Sequence, residues 1–400
     1  MTNKKNILVV SFQSLTERSG AGMARLGYYI SRDLHERGLL KNFVVYSKGK
    51  FETPFPSSAV SPLSRYFLFA LNKLNRFFPM KPHKFRFLQE RLFDWFCAKR
   101  IGSDIDILFV TQPYLLRTFK KAKKLGVKII FIPANPEENY INAIVTDEKK
   151  KLGIEDDDAY TYKKRISYYN EAIQYVDTVV GSYPTVYESY ASSAFKGEVV
   201  KLIGHLKPDF KPIPAVDREI KPEFKVGYLA HTVILKGLQY LFEAWEMLMK
   251  ETGNDGNLKL YVAGGIDESM HEHLVKNHLN IKNVQLIGRI ADVPEFMKDK
   301  DLFIVPSLVD GGPYTALEAA HYCLPVIITE NSGSSELLGR ANSGCHIIPI
   351  KDAQSIKNEI LWAYNNRQEA KQLGLNAKYN LEHYKMEDFI SLLADYLEKV

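Results

Sequence analysis

Short, continuously apolar runs rich in Val, Ile, Leu and Phe recur along this 400-residue chain, each followed by a stretch of helical period. Runs of that kind, separated by helices, are buried on both faces only in parallel sheets, because every crossover helix returns over one face of the sheet. Twelve stand out: Ile7–Phe12, Phe43–Tyr46, Ile107–Val110, Val127–Ile132, Thr178–Val180, Val199–Leu202, Phe224–Leu229, Leu258–Ala263, Val284–Ile287, Leu302–Val305, Val326–Thr329 and His346–Pro349. A dozen strands are too many for one ordinary doubly wound sheet, and this length suits two domains of roughly 100–200 residues each. The fold class is therefore α/β, with two Rossmann-like, doubly wound parallel-sheet domains. The stretch 204–222 carries four prolines and no clear period, which makes it the linker. Residues 1–203 and 223–380 are read as the two domains, and 381–400 as a C-terminal helix able to pack back on the first. In such sheets ligands bind beyond the carboxyl ends of the strands, so the cleft between two facing domains is the expected site.

Composition removes several classes of function. Hydrophobic residues make up 46% and charged residues 25%, which excludes a disordered chain and a coiled coil. A net charge of +6 is too slight to argue for nucleic acid, and none is expected as a partner. Cys97, Cys323 and Cys345 are scattered without a C-x-x-C pair, so neither a disulfide framework nor a zinc knuckle is expected, and a reducing cytoplasm fits. No apolar run approaches the roughly 18 residues of a membrane span, and the N-terminal apolar stretch reads as a strand. One segment stands apart: Tyr66–Arg100 holds ten aromatics, and with Arg65 nine Lys/Arg, against only Glu90 and Asp94. That mixture suits peripheral contact with an anionic membrane face, although the same aromatics could pack the first domain while the cations snorkel.

Candidate chemistry concentrates in Asp301–Leu338, which reads as strand, Gly-rich loop, helix, strand and a second Gly/Ser loop. Gly311 and Gly312 let backbone approach a ligand, and the helix that follows points its N–H groups at the same place, a ready anion site. Asp310 and Glu318 bracket it. Thr315-x-x-Glu318 is also the spacing of a capping box, which would give Glu318 only a structural task.

This stretch resembles the large retaining, nucleotide-sugar-dependent glycosyltransferase family 4 of the GT-B fold. Pro306-Ser307, Gly311, Glu318-Ala319 and Pro325-Val326-Ile327 match the family's pattern, and its paired acids fall on Asp310 and Glu318, the first shortened by one methylene. Cys323 replaces the family's Gly. Phe224–Trp245 resembles the family's strand, turn and Lys-Gly, which aligns Lys236 with the lysine that contacts the donor diphosphate, while Tyr228 replaces the usual arginine. Val284–Ile290 resembles the family's strand and turn whose backbone reads the base, with Arg289 near the base or diphosphate, and Gly20 and Gly22 stand in the first domain's Gly loop.

The resemblance implies hexosyl transfer, with retention, from a nucleotide-sugar donor to a glycan or lipid-linked acceptor hydroxyl. Lys236 and the helix start near Tyr314 and Thr315 would hold the diphosphate, Glu318 the ribose, and Asp310 the sugar ring. No metal and no cofactor are implied. A non-catalytic GT-B relative that binds a sugar or a partner is the alternative. His231 and His321 are read as ordinary histidines, and His205 is given no role.

Overall fold

A computed structural model describes residues 4–15, 23–205, 220–278, 281–339 and 343–400. The chain divides into two compact units: Met1–Asn142 with Asp157–Leu206 and Lys385–Val400, and Ala143–Asp156 with Lys207–Tyr384. Each carries one wholly parallel sheet. All twelve expected strands are present.

The first sheet contains β1 (Ile7–Leu15), β2 (Leu40–Lys48), β3 (Ser57–Ala59), β4 (Ile107–Val110), β5 (Lys128–Phe131), β6 (Thr178–Gly181) and β7 (Glu198–Lys201), in the order β3-β2-β1-β4-β5-β6-β7. Its helices are α1 (Met23–Glu36), α2 (Ser64–Phe77), α3 (Pro82–Arg100), α4 (Leu116–Lys124), α6 (Lys163–Ala172) and α7 (Pro184–Ala191), while α5 (Glu138–Leu152) begins in the first unit and continues into the second. Successive strand residues point to opposite faces, so each run feeds two cores. Leu8, Val10, Leu108 and Val110 join one. Ile7, Val9, Ile107 and Phe109 join the other. The edge strand β3 is a three-residue addition that no apolar run announces.

The second sheet contains β8 (Phe224–Leu229), β9 (Leu258–Ala263), β10 (Val284–Gly288), β11 (Leu302–Val305), β12 (Val326–Thr329) and β13 (Cys345–Ile348), in the order β10-β9-β8-β11-β12-β13. The helices are α8 (Leu238–Glu251), α9 (Glu268–His278), α10 (Val293–Lys298), α11 (Tyr314–His321), α12 (Ser334–Gly339), α13 (Ala353–Asn365) and α14 (Arg367–Glu382). The last helix, α15 (Met386–Lys399), lies in the first unit, where it packs on α1.

One boundary differs from the expected ones. Ala143–Asp156, placed in the first domain by the 1–203 limit, belongs to the second unit. The reason is Glu148, a fully buried carboxylate that accepts hydrogen bonds from Gln239 (3.1 Å) and Tyr240 (3.0 Å) of α8. Of the expected linker, residues 206–219 lie outside the described residues.

The aromatic segment also splits. α3 sends Phe93, Phe96 and Cys97 into the core, together with its two acids. Asp94 caps α4, accepting from the Arg117 and Thr118 amides at 2.9 Å each. α2 remains largely exposed. Among the described residues no helix is long and apolar enough to cross a membrane.

Candidate functional site

In the second unit the chain lays down β8, moves outward to β9 and β10, then returns to the other side of β8 for β11. Ligand crevices of doubly wound sheets form at such a reversal, beyond the carboxyl ends of the two strands. The loops leaving β8 and β11 carry Lys236 and Asp310.

The β8 loop is held in place by backbone. Thr232 N donates to Gly265 O (2.7 Å) and Thr232 O accepts from Asp267 N (2.8 Å), which ties the loop to the end of β9. A single 3₁₀ turn, Ile234–Lys236, then ends at Gly237, whose φ is +71°. A Cβ on Gly237 would sit 1.8 Å from the Pro306 carbonyl oxygen, so only glycine allows this turn to approach the β11 loop. Leu308 N donates to Leu235 O at 2.8 Å and locks the two loops together.

Asp310 is pinned from both sides. Its N–H donates to Asn331 O (3.0 Å), its carbonyl accepts from Gly333 N (3.1 Å), and it bridges to Ser332 in parallel register. The buried carboxylate accepts the Gly312 N–H through one oxygen (3.3 Å) and forms an ion pair with the Lys236 ammonium through the other. Two residues expected to face a donor are thus brought into direct contact.

The other expected residues take varied positions. Tyr228 is buried, with its hydroxyl 3.1 Å from that of Thr232. Burial, with a contribution from the Asp310 charge, pushes its phenol above the ordinary tyrosine range. Tyr228 therefore fills the site of the family's arginine without supplying a charge. Arg289 is exposed at the end of β10. Its guanidinium and the His231 ring both lie 3.4 Å from where a Gly265 Cβ would be, so the missing side chain leaves room for two cation-capable groups beside the β8 loop. His231, read as ordinary from sequence, thus lies on the same side of Gly265 as Arg289.

Gly311, Gly312, Tyr314 and Thr315 form the loop and first turn of α11, with Gly311 buried and the other three half-buried. Pro313 occupies the N-cap position. A capping box at Thr315 and Glu318 does not form: Thr315 is already inside the helix, and a proline cap has no N–H to receive Glu318. The half-buried Glu318 lies one turn into α11. Cys323 adopts a φ of +55°, so the left-handed turn made by glycine in the family is kept here by a buried cysteine. Gly20 and Gly22 lie outside the described residues. Among the described residues no three His, Cys, Asp or Glu side chains gather as a metal-holding group.

The first unit has its own reversal, between β1 and β4, and a cavity of about 180 Å³ opens there. Phe12, Gln13, Thr111, Gln112, Asn135 and Glu138 are among its lining residues. Its floor is a buried charge network. Arg165 donates to both oxygens of Glu90 (2.9 and 3.1 Å), Arg86 adds a third bond (3.0 Å), and the Arg165 guanidinium lies 3.7 Å from the Tyr114 ring centroid. Glu138 stands 3.6 Å from Arg165, and burial raises its pKa against the pull of that guanidinium. The Gln112 amide nitrogen is buried without a hydrogen bond to protein. With two cations balancing two carboxylates, the pocket is polar but neutral, which suits hydroxyl groups better than phosphates. Sequence reading missed these residues, since Glu90 and Arg165 lie 75 positions apart and neither sits in a motif.

Residues 209–379 match the family Glycosyl transferases group 1. The capsular polysaccharide biosynthesis glycosyltransferase CapM of Staphylococcus aureus is 25% identical over 170 residues, 41% of this chain and 43% of CapM. An Escherichia coli UDP-Gal:alpha-D-GlcNAc-diphosphoundecaprenol alpha-1,3-galactosyltransferase is 30% identical over 105 residues, 26% of this chain and 27% of that enzyme. The match spans less than half the length of these curated relatives. Solved structures cover nearly all of the chain. The sucrose-phosphate synthase of Thermosynechococcus elongatus aligns with a TM-score of 0.68 at 16% identity, covering 99% of this chain and 98% of its own. Anabaena HepE in complex with UDP-glucose aligns at 0.64 and 14%, covering 99% and 100%. The fold is GT-B.

Proposed function

We propose that the protein, whose residues 209–379 match the glycosyl transferases group 1 family, transfers a hexosyl group from a nucleotide-sugar donor to an acceptor hydroxyl, with retention, in glycan or glycolipid synthesis. The observation that carries this reading is the meeting of Lys236 and Asp310 across the strand reversal, beside the start of α11. Breaking the bond to the diphosphate places growing negative charge on the leaving phosphate. Lys236 and the positive end of α11 are assigned to stabilise it, with Arg289 beside them. Glu318 is assigned to the ribose hydroxyls and Asp310 to the sugar ring. No protein nucleophile is assigned: the diphosphate accepts the proton of the attacking hydroxyl on the same face. No metal is assigned, since Lys236, Arg289 and the helix end serve its purpose.

The acceptor is assigned to the first unit, where the neutral polar cavity suits a sugar hydroxyl. A lipid-linked glycan is the favoured class, supported by the diphosphoundecaprenol named for the Escherichia coli relative and by the capsular polysaccharide role named for CapM. On this reading the protein works at the cytoplasmic face of a membrane. Thermal shift with UDP, GDP and ADP tests donor binding, because a ligand of the folded state raises apparent stability. A proton spectrum of the product's anomeric centre then tests retention, and turnover in EDTA tests metal independence. A protein stabilised by none of the nucleotides and unable to release nucleotide from any sugar donor would return the non-catalytic reading.

A further inference from the structure

α2 and the turn after it form an apolar ridge on the first unit. Leu63, Tyr66, Phe67, Ala70, Leu74 and Phe77 recur at i, i+3, i+4, i+7, i+11 and i+14, one stripe of a 3.6-residue helix. Such a stripe ordinarily faces a core. Here Tyr66 is 71% exposed, Leu74 58% and Phe77 67%, and Phe78 continues the ridge beyond the helix at 71%. Phe67 leans on Phe96 of α3, with ring centroids 5.7 Å apart, and this contact seats the helix on the unit. A contiguous apolar surface of this kind on a globular unit marks an interaction site.

Charge selects the occupant. No Asp or Glu occurs between Glu52 and Glu90, whereas that stretch contains Arg65, Lys73, Arg76, Lys81, Lys84 and Arg86. Lys73, Arg76, Lys81 and Lys84 are exposed. Protein interfaces are depleted of lysine at their centres, and a second copy would set the same cations against one another. Aromatic side chains beside long basic ones match a lipid surface instead, where rings enter the headgroup boundary and cations meet phosphates. We infer that the α2 ridge is a docking surface for an anionic phospholipid bilayer, with Tyr66, Leu74, Phe77 and Phe78 entering the interface and Lys73, Arg76, Lys81 and Lys84 binding lipid phosphates. This inference stands on the surface alone and does not depend on the transferase reading.

The test is co-sedimentation of the full chain with phosphatidylcholine vesicles, with and without phosphatidylglycerol, at low and high salt. Expected is binding at least about tenfold tighter to the anionic vesicles, weakened by salt. Tyr66→Ser with Phe77→Ser and Phe78→Ser abolishes binding while leaving melting unchanged, because these side chains are exposed. Lys73→Gln with Arg76→Gln lowers affinity about 25-fold, at about fivefold per basic residue. No binding to either vesicle overturns the proposal, as does binding that the triple variant retains. A concentration-dependent dimer that the triple variant dissolves, without vesicle binding, overturns it in favour of a second copy.

Discussion

The ammonium of Lys236 is held by the carboxylate of Asp310, 74 residues away in the chain, across the point where the second sheet reverses its strand order. Gly237 makes the approach sterically permissible, and the hydrogen bond from Leu308 N to Leu235 O fixes it. The two groups, one assigned to the donor's diphosphate and the other to the adjoining sugar, neutralise one another. A diphosphate would share the lysine, leaving Asp310 to turn to a sugar hydroxyl.

Lys236→Ala is expected to lower kcat/KM at limiting donor by about ten- to a hundredfold or more, since a hydrogen bond to a charged group is worth roughly 1.5–3 kcal/mol. The melting temperature should fall as well, because the buried Asp310 carboxylate loses its ion-pair partner. Initial rates with a melting curve check both halves.

The acidic pair separates by kinetics. Asp310→Asn is expected to reduce turnover more than nucleotide affinity, because the residue is assigned to the reacting sugar. Glu318→Gln is expected to reduce both. It should not lower melting through a lost cap, because Pro313 and not Thr315 occupies the N-cap. Nucleotide titrations beside saturating-donor rates distinguish the two patterns, and full activity in both variants would remove the acids from the site.

Gly237→Ala is expected to damage the site through the backbone. A non-glycine residue in the left-handed region costs about 1–2 kcal/mol, and the clash with the Pro306 carbonyl adds to it. A fall in melting temperature on the order of 5–10 °C follows for a unit of this size. The stabilisation conferred by bound nucleotide should shrink with it, as read by thermal shift.

Glu138 links stability to pH. Its folded-state pKa is raised by burial, so its contribution to stability is full below the unfolded carboxylate pKa and is lost as pH rises through the folded value. Glu138→Gln, which stays neutral, is therefore expected to melt higher than the parent at neutral pH and to lose that advantage in acid. Melting curves across the acid-to-neutral range give the sign.

The strands were legible because a strand buried on both faces has to be continuously apolar, a condition met by runs such as Ile107–Val110 and Val326–Thr329. β3 escaped because an edge strand of Ser57–Ala59 needs no such run. Motif spacing nominates Asp310, Glu318 and Lys236, but the pairing of Lys236 with Asp310 leaves no sequence signal, since it arises from two loops meeting across a crossover. Tyr228 illustrates the converse: its position in the motif pointed to the ligand, while the sheet turned its ring inward. The Glu90–Arg165 network and the burial of Glu148 are wholly tertiary and leave no local pattern.

The placement of α15 has a consequence for how the protein is made. Met386, Phe389, Ile390, Leu393, Ala394 and Leu397 are buried in the same core as Ile7 and Val9, and Phe389 fills the space that a side chain on Gly204 would take. The first unit is therefore begun before Lys207–Tyr384 is translated and completed only after it. Lys385 follows Leu206 by 179 positions (385 − 206), an interval of roughly 10–35 s at about 5–20 residues per second. During that time the α1 face of the nascent unit lacks its cover. It must wait at the ribosome, half-wrapped, while the whole of Lys207–Tyr384 is synthesised and free to fold.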